Sequence, residues 1–177
     1  MRTVALAGAA ALVAAALAVG VAPAAAVVIR ANWVEKTPAS WGGTYTIYVR
    51  QISLTKSTWR ARVGIVNKTE ETMNILYGLR KEGARTTLLH GPGIWFKGPA
   101  PGSTEIVARH ADATSVRPPL PHTLRRGKSW FGTIEGPAAK LPKDRLLRFG
   151  FGWIDHDFAY PTEISTTHQF RLPKGVR

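Results

Sequence analysis

The feature that most constrains how this chain can fold is an alternation of apolar and polar residues over short runs. In the clearest run, Thr58–Val66, every second residue is apolar. Successive side chains of a β-strand point to opposite faces, so this pattern predicts a strand with one buried and one solvated face. The face predicted to be buried carries Trp59, Ala61, Val63 and Ile65. No amphipathic pattern of helix length accompanies these runs, which indicates an all-β fold.

Several further runs alternate in the same way and are separated by Gly, Pro, Asn and Lys-Thr clusters. They are 73–79, Glu105–His110, Ser129–Glu135, Leu146–Ile154 and Ile164–Leu172. Between Val49 and Ile52 the phase of the alternation shifts, which predicts either a β-bulge near Arg50-Gln51 or a break between a strand and its continuation. About seven to eight strands with one wet face each predict two stacked antiparallel sheets, as in an immunoglobulin-like β-sandwich.

Two of these runs have features of their own. In Leu146–Ile154, the residues predicted to enter the core are Leu147, Phe149, Phe151 and Trp153. Gly150 and Gly152 oppose them, which predicts a close neighbour or a strong twist on that face. In Ile164–Leu172, the alternation predicts that His168 is a partly buried, hydrogen-bonded core residue.

The segment 83–121 is rich in Gly and Pro and is predicted to be the irregular, loop-bearing part of the domain. Two tryptophans lie in Gly-rich stretches, Trp41 within Ser40–Gly43 and Trp95 within Gly93–Phe96. An exposed loop tryptophan can stack on a sugar ring or on a partner protein. The alternative is that each one closes an open end of the sandwich.

The first 26 residues have the pattern of a cleavable secretory signal peptide. Arg2 precedes an Ala-rich apolar run that ends at Pro23, and three alanines then provide a processing site. The alternative is an uncleaved membrane anchor, because no charged residue lies between Arg2 and Arg30. Cleavage predicts a secreted or envelope-associated protein without a transmembrane span. The predicted organisation is a signal peptide at 1–26, a linker at 27–43, one sandwich domain at 44–172 and a flexible tail at 173–177.

The charge balance of the chain is strongly basic. There are 24 Lys and Arg residues against 11 Asp and Glu residues, for a formal net charge of +13 at pH 7. Cleavage after residue 26 removes one basic residue, Arg2, and leaves +12. The chain has no cysteine, so neither a disulfide nor a lipid-bearing cysteine is available and the core alone must hold the domain together.

Four arginines occupy polar positions of predicted strands. They are Arg60, Arg62, Arg148 and Arg171. If their strands are neighbours in one sheet, the four guanidinium groups form a basic plate that can hold phosphate or carboxylate groups. The alternative is that cations are spread over every surface and serve solubility.

Three blocks of the sequence, taken in order, resemble a known type of domain. They are Trp59–Thr69, the Pro118–Leu124 segment leading into Gly127–Ile134, and the closing His168–Leu172. Over about Tyr45 to Leu172 the chain resembles small immunoglobulin-like domains of unknown function that are exported by bacteria with Ala- and Arg-rich proteomes. The resemblance implies the sandwich fold. It implies no catalytic residue, because such domains have no agreed reaction.

The sequence lacks the motifs of common enzyme classes. There is no Gly-x-Ser-x-Gly elbow and no cysteine nucleophile. Ser53–Lys56 spells Ser-x-x-Lys without its companion motifs, and Gly127-Lys128-Ser129 lacks the upstream glycine of a phosphate-binding loop. No cofactor and no sequence-specific nucleic acid are predicted.

The best candidate for acid/base or metal chemistry is Asp155-His156-Asp157, at the end of a predicted strand. Alternation places Asp155 and Asp157 on one face, where two carboxylates and a nearby histidine can bind a metal ion or transfer a proton. The alternative is a solvated, Asp-rich turn. The five histidines of the chain do not have the helical or hairpin spacing of known zinc sites.

These observations lead to three functional hypotheses. The first is a secreted, non-enzymatic binding module for an anionic envelope polymer or another exported protein. Its candidate binding residues are Arg60, Arg62, Arg148, Arg171, Trp41 and Trp95. The second is a metal-dependent or acid/base enzyme that uses Asp155, Asp157 and a nearby histidine. The third is a structural subunit whose exposed strand edge pairs with a partner.

Overall fold

The computed structural model describes residues 26–82, 85–99, 102, 104–142, 144–155 and 162–173. These residues form an all-β fold with two antiparallel sheets and a separate hairpin. The only helical segment among them is a single 3-10 turn at Ala138–Lys140. The all-β prediction is therefore confirmed.

Fourteen strands occur within the described residues, more than the seven to eight that the sequence predicts. In chain order they are β1 (Val27–Pro38), β2 (Gly43–Leu54), β3 (Thr58–Thr69), β4 (Met73–Leu76), β5 (Gly78–Glu82), β6 (Arg85–Leu89), β7 (Pro92–Pro99), β8 (Ile106–Asp112), β9 (Ser115–Arg117), β10 (Thr123–Leu124), β11 (Ser129–Pro137), β12 (Leu146–Asp155), β13 (Thr162–Ser165) and β14 (Phe170–Arg171).

The first sheet has the strand order β1-β2-β3-β11-β9. Its long central strands follow the predicted alternation, and β3 begins at Thr58 as predicted. The register between β2 and β3 shifts between Val49 and Gln51 while β2 continues to Leu54, so the phase change marks a bulge and not a strand break. The segment 27–43, which the sequence assigns to a linker, contains β1, and β1 pairs with β2 from Val27↔Leu54 to Pro38↔Thr44.

The second sheet is built around β12. Gly150 pairs with Gly93 of β7 and with Ser165 of β13, and Trp153 pairs with Leu76 of β4 and with Glu163 of β13. A strand residue has one neighbour on each side, so β4 and β7 must lie end to end along the same side of β12. The β5–β6 hairpin is inserted between them. Strand β8 then pairs with β7 at the edge of the sheet.

The core lies between the two sheets and is contributed by both. On the first sheet, Ile47, Trp59 and Ile65 have at most 1% of their surface exposed. On the second sheet, Ile94, Phe149 and Phe151 are buried to the same degree. Burying several such side chains at about 1.5–3 kcal/mol each is the main source of stability for a domain without disulfides.

One predicted core position is wrong because of a glycine. Gly152 has φ +115°, and the β12–β13 register shifts between Gly150 and Gly152. The shift changes the phase of the strand, so Ile154 enters the core at 1% exposure. Trp153 is thereby moved to the outer face, beside Glu163. The core position predicted for Trp153 is therefore wrong.

The prediction that 83–121 is irregular is also wrong for most of the segment. Besides β8, which corresponds to the predicted strand Glu105–His110, it contains β7, and the two strands pair from Gly93↔Asp112 to Pro99↔Ile106. The Gly and Pro residues that suggest loops lie at the two ends of β7, as Pro92-Gly93 and Gly98-Pro99. These residues are tolerated because pairing on both sides of the strand fixes its backbone.

The last predicted strand is divided in two, and His168 lies between the halves. Thr166 is buried, and its hydroxyl accepts a hydrogen bond from the Phe149 amide and donates one to the His168 carbonyl. His168 itself is exposed and stacks on Trp33 with ring centroids 4.0 Å apart. The prediction of a core histidine at this position is therefore wrong.

Several predictions concern residues outside the described part of the chain. They include nearly all of the signal peptide at 1–26, His156 and Asp157, and most of the tail at 173–177. The described part contains no helix with the length and apolar character needed to cross a bilayer.

Candidate functional site

The structure divides the four predicted arginines between the two sheets. Arg60 and Arg62 lie on β3 of the first sheet, whereas Arg148 and Arg171 lie on β12 and β14 of the second. The condition for one basic plate, that their strands be neighbours in one sheet, is not met. The two pairs must therefore be considered as parts of different surfaces.

Around Arg60 and Arg62 the outer face of the first sheet carries two further arginines. Arg50 lies at the β2 bulge, and Arg117 lies on β9, in register with Thr133. Thr133 is in turn in register with Arg62. We call Arg50, Arg60, Arg62 and Arg117 the arginine face. It extends over four neighbouring strands, β2-β3-β11-β9, or about 14 Å at the usual strand spacing.

Among the described residues, one acidic side chain, that of Glu135, pairs with an arginine of the arginine face. Glu135 accepts a hydrogen bond from Nε of Arg60 at 2.7 Å, and 59% of the Arg60 side chain remains exposed. Arg50 lies over the rings of Tyr48 and Phe131, 5.6 and 5.7 Å from their centroids. The arrangement leaves an excess of cationic hydrogen-bond donors next to an exposed aromatic ring.

Two shallow concavities of about 330 and 430 Å³ adjoin at Thr133 and follow this face. One is lined by Arg60, Arg117 and Glu135, and the other by Arg50, Arg62 and Phe131. The two concavities share Thr133, so the four arginines line adjoining depressions on one face of the sheet.

The outer face of the second sheet carries a different group, composed of His90, His110 and Asp112, which we call the histidine cluster. Candidate ligand atoms of the three side chains all lie within 4.8 Å of one another. His110 and Asp112 are two residues apart on β8 and so point to the same face. His90 lies in the connection between β6 and β7, and its ring stacks on that of His110 with centroids 4.3 Å apart.

Two glycines form a floor beneath these rings. A Cβ atom on Gly93 would lie 2.7 Å from Cε1 of His110 and would also overlap the Ala111 carbonyl oxygen. A Cβ atom on Gly150 would lie 2.8 Å from Nε1 of Trp95. Because Gly93 and Gly150 are paired across β7 and β12, the histidine and the indole can lie directly against the sheet. The close neighbour predicted for Gly150 is therefore Trp95.

Burial fixes the protonation state of His110. Its side chain is 0% exposed and is enclosed by His90 and Trp95, whose rings lie 4.3 and 4.6 Å away. Burial lowers the pKa of His110 to about 4, and it outweighs the opposing effect of the Asp112 charge. His110 is thus a neutral imidazole at pH 7.

A buried acid lies on the same outer face. Burial raises the pKa of Glu163, against the opposing effects of a hydrogen bond from Ser165 and of the Arg148 charge. Its Oε1 is among seven buried side-chain atoms without a hydrogen-bond partner in the described structure. Four of the seven lie on this outer face: His110 Nδ1, His110 Nε2, Trp153 Nε1 and Glu163 Oε1. Such a concentration is typical of functional sites, because ordinary packing avoids it.

The remaining predicted residues are placed as follows. Trp95 is not in a loop but on β7, in register with Arg148 and His110. Trp95 and Arg148 also line a cavity of about 370 Å³. Trp41 lies in the turn between β1 and β2 and packs against the core. Asp155 ends β12, where it is in register with Asn74.

Sequence reasoning missed the histidine cluster as a unit. The His110-x-Asp112 spacing is a strand signal for two side chains on one face, but His90 is distant in sequence and approaches only when β7 pairs with β8. Comparison with known proteins adds no assignment, since no family model, curated protein or solved structure matches this chain.

Proposed function

We propose that this chain is an exported, non-enzymatic binding module that recognises an anionic polymer through the arginine face. The observation that carries the proposal is the presence of four arginines around one glutamate on neighbouring strands. Arg62 and Arg117 have no acidic partner among the described residues, so their guanidinium groups are available to phosphate or carboxylate groups.

The spacing of the arginines favours a polymer over a small anion. Arg62 and Arg117 are two strands apart, or about 10 Å, because Thr133 of β11 lies between them. Two arginine side chains can converge on one phosphate group across that distance, but the four arginines extend over about 14 Å of the sheet, which matches the successive charges of a polymer better than one small anion. Phe131, which is 42% exposed, adds an apolar surface next to Arg50 for the uncharged part of such a chain.

The experiment is a binding titration of the purified chain with linear polyphosphate, polyglutamate and a neutral polysaccharide at several salt concentrations. We expect binding to the two anionic polymers that weakens as salt rises, since each contact releases counterions. Arg62→Ala with Arg117→Ala should lower the affinity at least tenfold and reduce the slope of log affinity against log salt by about two.

The matched control is Arg125→Ala with Arg126→Ala. This pair removes the same charge from an exposed turn away from the arginine face. Equal losses in the two double variants would show that net charge alone drives binding, and absence of binding at low salt would also contradict the proposal.

The export and the finer fold type belong to the same proposal. The basic start, apolar run and alanine-rich end of residues 1–26 support a cleaved signal peptide. The two antiparallel sheets support an immunoglobulin-like sandwich. N-terminal sequencing of the chain from its native host tests cleavage: a product that begins at Val27 supports it, and a product that keeps residues 1–26 contradicts it.

A further inference from the structure

We propose that the histidine cluster binds one divalent transition-metal ion of the zinc class through His90, His110 and Asp112. This site is separate from the arginine face, because it lies on the outer face of the other sheet. The inference therefore does not depend on the proposed recognition of anionic polymers.

The ligand atoms of the histidine cluster lie close to one another. Nδ1 of His90 lies 3.4 Å from Oδ2 of Asp112, and Nδ1 of His110 lies 3.3 Å from Oδ1 of the same carboxylate. Bonds of about 2.0–2.1 Å to a tetrahedral Zn²⁺ ion place neighbouring ligand atoms about 3.3–3.4 Å apart. Each histidine is thus at ligand spacing from one oxygen of the carboxylate, and candidate ligand atoms of all three side chains lie within 4.8 Å of one another.

His110 has no hydrogen-bond partner within the described structure. Both of its ring nitrogens are buried without a hydrogen bond, and its side chain is 0% exposed. A buried polar group without a partner costs about 1–3 kcal/mol. A metal ion at Nδ1 removes part of that cost. Hydrogen bonding accounts for the contact of His90 with Asp112 at 3.4 Å. It does not account for His110, because the contact between His110 and Asp112 lacks hydrogen-bond geometry.

The backbone holds the Asp112 carboxylate in place. The Gly91 amide donates a hydrogen bond of 2.9 Å to Oδ1 of Asp112. Outer hydrogen bonds of this kind orient the ligands of metal sites. His110 is held from below by Gly93 and from the side by Trp95, so two of the three ligands are fixed before an ion binds.

The donor set selects the class of ion. Two imidazoles and one carboxylate suit Zn²⁺ and Cu²⁺, whereas Ca²⁺ and Mg²⁺ require a shell of oxygen ligands. Three protein ligands leave a fourth tetrahedral position for water or an external donor. His90 and Asp112 are the solvent-facing members of the cluster, with 30% and 49% of their side chains exposed, so that ligand approaches from their side.

The test is a zinc titration of the full chain, prepared without a polyhistidine tag and freed of metal with a chelator. Competition with a chromophoric chelator measures affinity and stoichiometry. We expect one Zn²⁺ per chain, and Co²⁺ in its place should give the intense visible absorption of a tetrahedral centre. Asp112→Asn and His90→Gln should each weaken binding by more than the roughly 10–100-fold that the loss of an outer hydrogen bond costs.

Two control variants are available within the chain. His168→Gln and Asp144→Asn alter an exposed histidine and an exposed aspartate outside the cluster, and both should bind zinc as the unmodified chain does. His90 and Asp112 are themselves partly exposed, and circular dichroism verifies that their variants are folded. Absence of stoichiometric zinc binding, or equal affinity in the cluster and control variants, would overturn the assignment.

Discussion

In both sheets alternate residues point outward, but the outward side chains are solvated on the first sheet and include buried ones on the second. On the first sheet the outward residues are arginines whose guanidinium groups remain in solvent, as the 59% exposure of Arg60 illustrates. On the second sheet the outward residues include His110, whose side chain is 0% exposed, and Glu163, which is largely buried. Pointing away from the core therefore does not determine whether a side chain is solvated.

The difference arises from what lies beneath and beside each side chain. The outer face of the second sheet has glycines at two paired positions, Gly93 and Gly150, so aromatic rings settle onto the backbone and cover one another. On the first sheet, Gly64 is covered in a similar way by Phe131, yet that ring is 42% exposed. A glycine beneath a single ring leaves a solvated surface, whereas paired glycines beneath several rings produce a buried site on an outer face.

The largest expected effect comes from replacing Gly93, one of the two glycines beneath the rings of His110 and Trp95. Gly93→Ala should destabilise the domain by about 3 kcal/mol, because the new methyl group meets the Ala111 backbone and the enclosed His110 ring. Gly64→Ala should cost less than about 1 kcal/mol, because the three atoms nearest to the new methyl group all belong to the Phe131 ring, which is 42% exposed and can move into solvent. Urea unfolding of both variants measures the two values. Equal losses would remove the distinction between the faces.

Zinc should stabilise the domain only through the histidine cluster on the second sheet. At a free Zn²⁺ concentration of 100 times the dissociation constant, the free energy of unfolding should rise by about 2.7 kcal/mol. Asp112→Asn should abolish this gain, whereas Arg62→Ala should leave it unchanged. Thermal unfolding with and without the metal measures the effect. A gain that persists in Asp112→Asn would place the ion elsewhere.

A smaller effect concerns pH. Burial raises the pKa of Glu163, so the folded state holds this proton more tightly than the unfolded chain does. The free energy of unfolding should therefore fall as pH rises from about 4.5 through the raised pKa. Glu163→Gln lacks this fall and should exceed the unmodified chain at pH 7 by less than about 1 kcal/mol, after allowance for solvent screening.

The control for this measurement is Glu135→Gln, which removes an acid from the first face. Its carboxylate pairs with a mostly exposed arginine, so the substitution should give no gain in stability at pH 7. Chemical unfolding between pH 4 and pH 8 compares the two variants. A gain in Glu135→Gln matching that in Glu163→Gln would indicate a general effect of charge.

The smallest effect is expected for the ion pair of the arginine face. A double-mutant cycle of Arg60→Ala and Glu135→Ala should give a coupling energy of about 0.2–1 kcal/mol, because the Arg60 side chain is solvated. High salt should reduce this value further. A coupling of several kcal/mol would mean that the first face is desolvated in the way the second one is.

Local pattern was sufficient where a strand has one buried and one solvated face. It predicted β3 from its first residue and the phase change near Arg50-Gln51, and it identified two members of the arginine face, Arg60 and Arg62. It failed for β7, which is rich in Gly and Pro, since its stability comes from pairing with β12 and β8. It also failed for Trp153, because the φ of +115° at Gly152 reverses the phase of the strand.

The sequence by itself determined the all-β fold and the alternation of its long strands, because these depend on the period of neighbouring residues. Only the tertiary structure decided which arginines share a face and how His90 meets His110 and Asp112. Those outcomes depend on the order of strands in each sheet, which joins residues far apart in the chain. They also depend on the burial of outward side chains, which is a property of neighbours in space and not of neighbours in sequence.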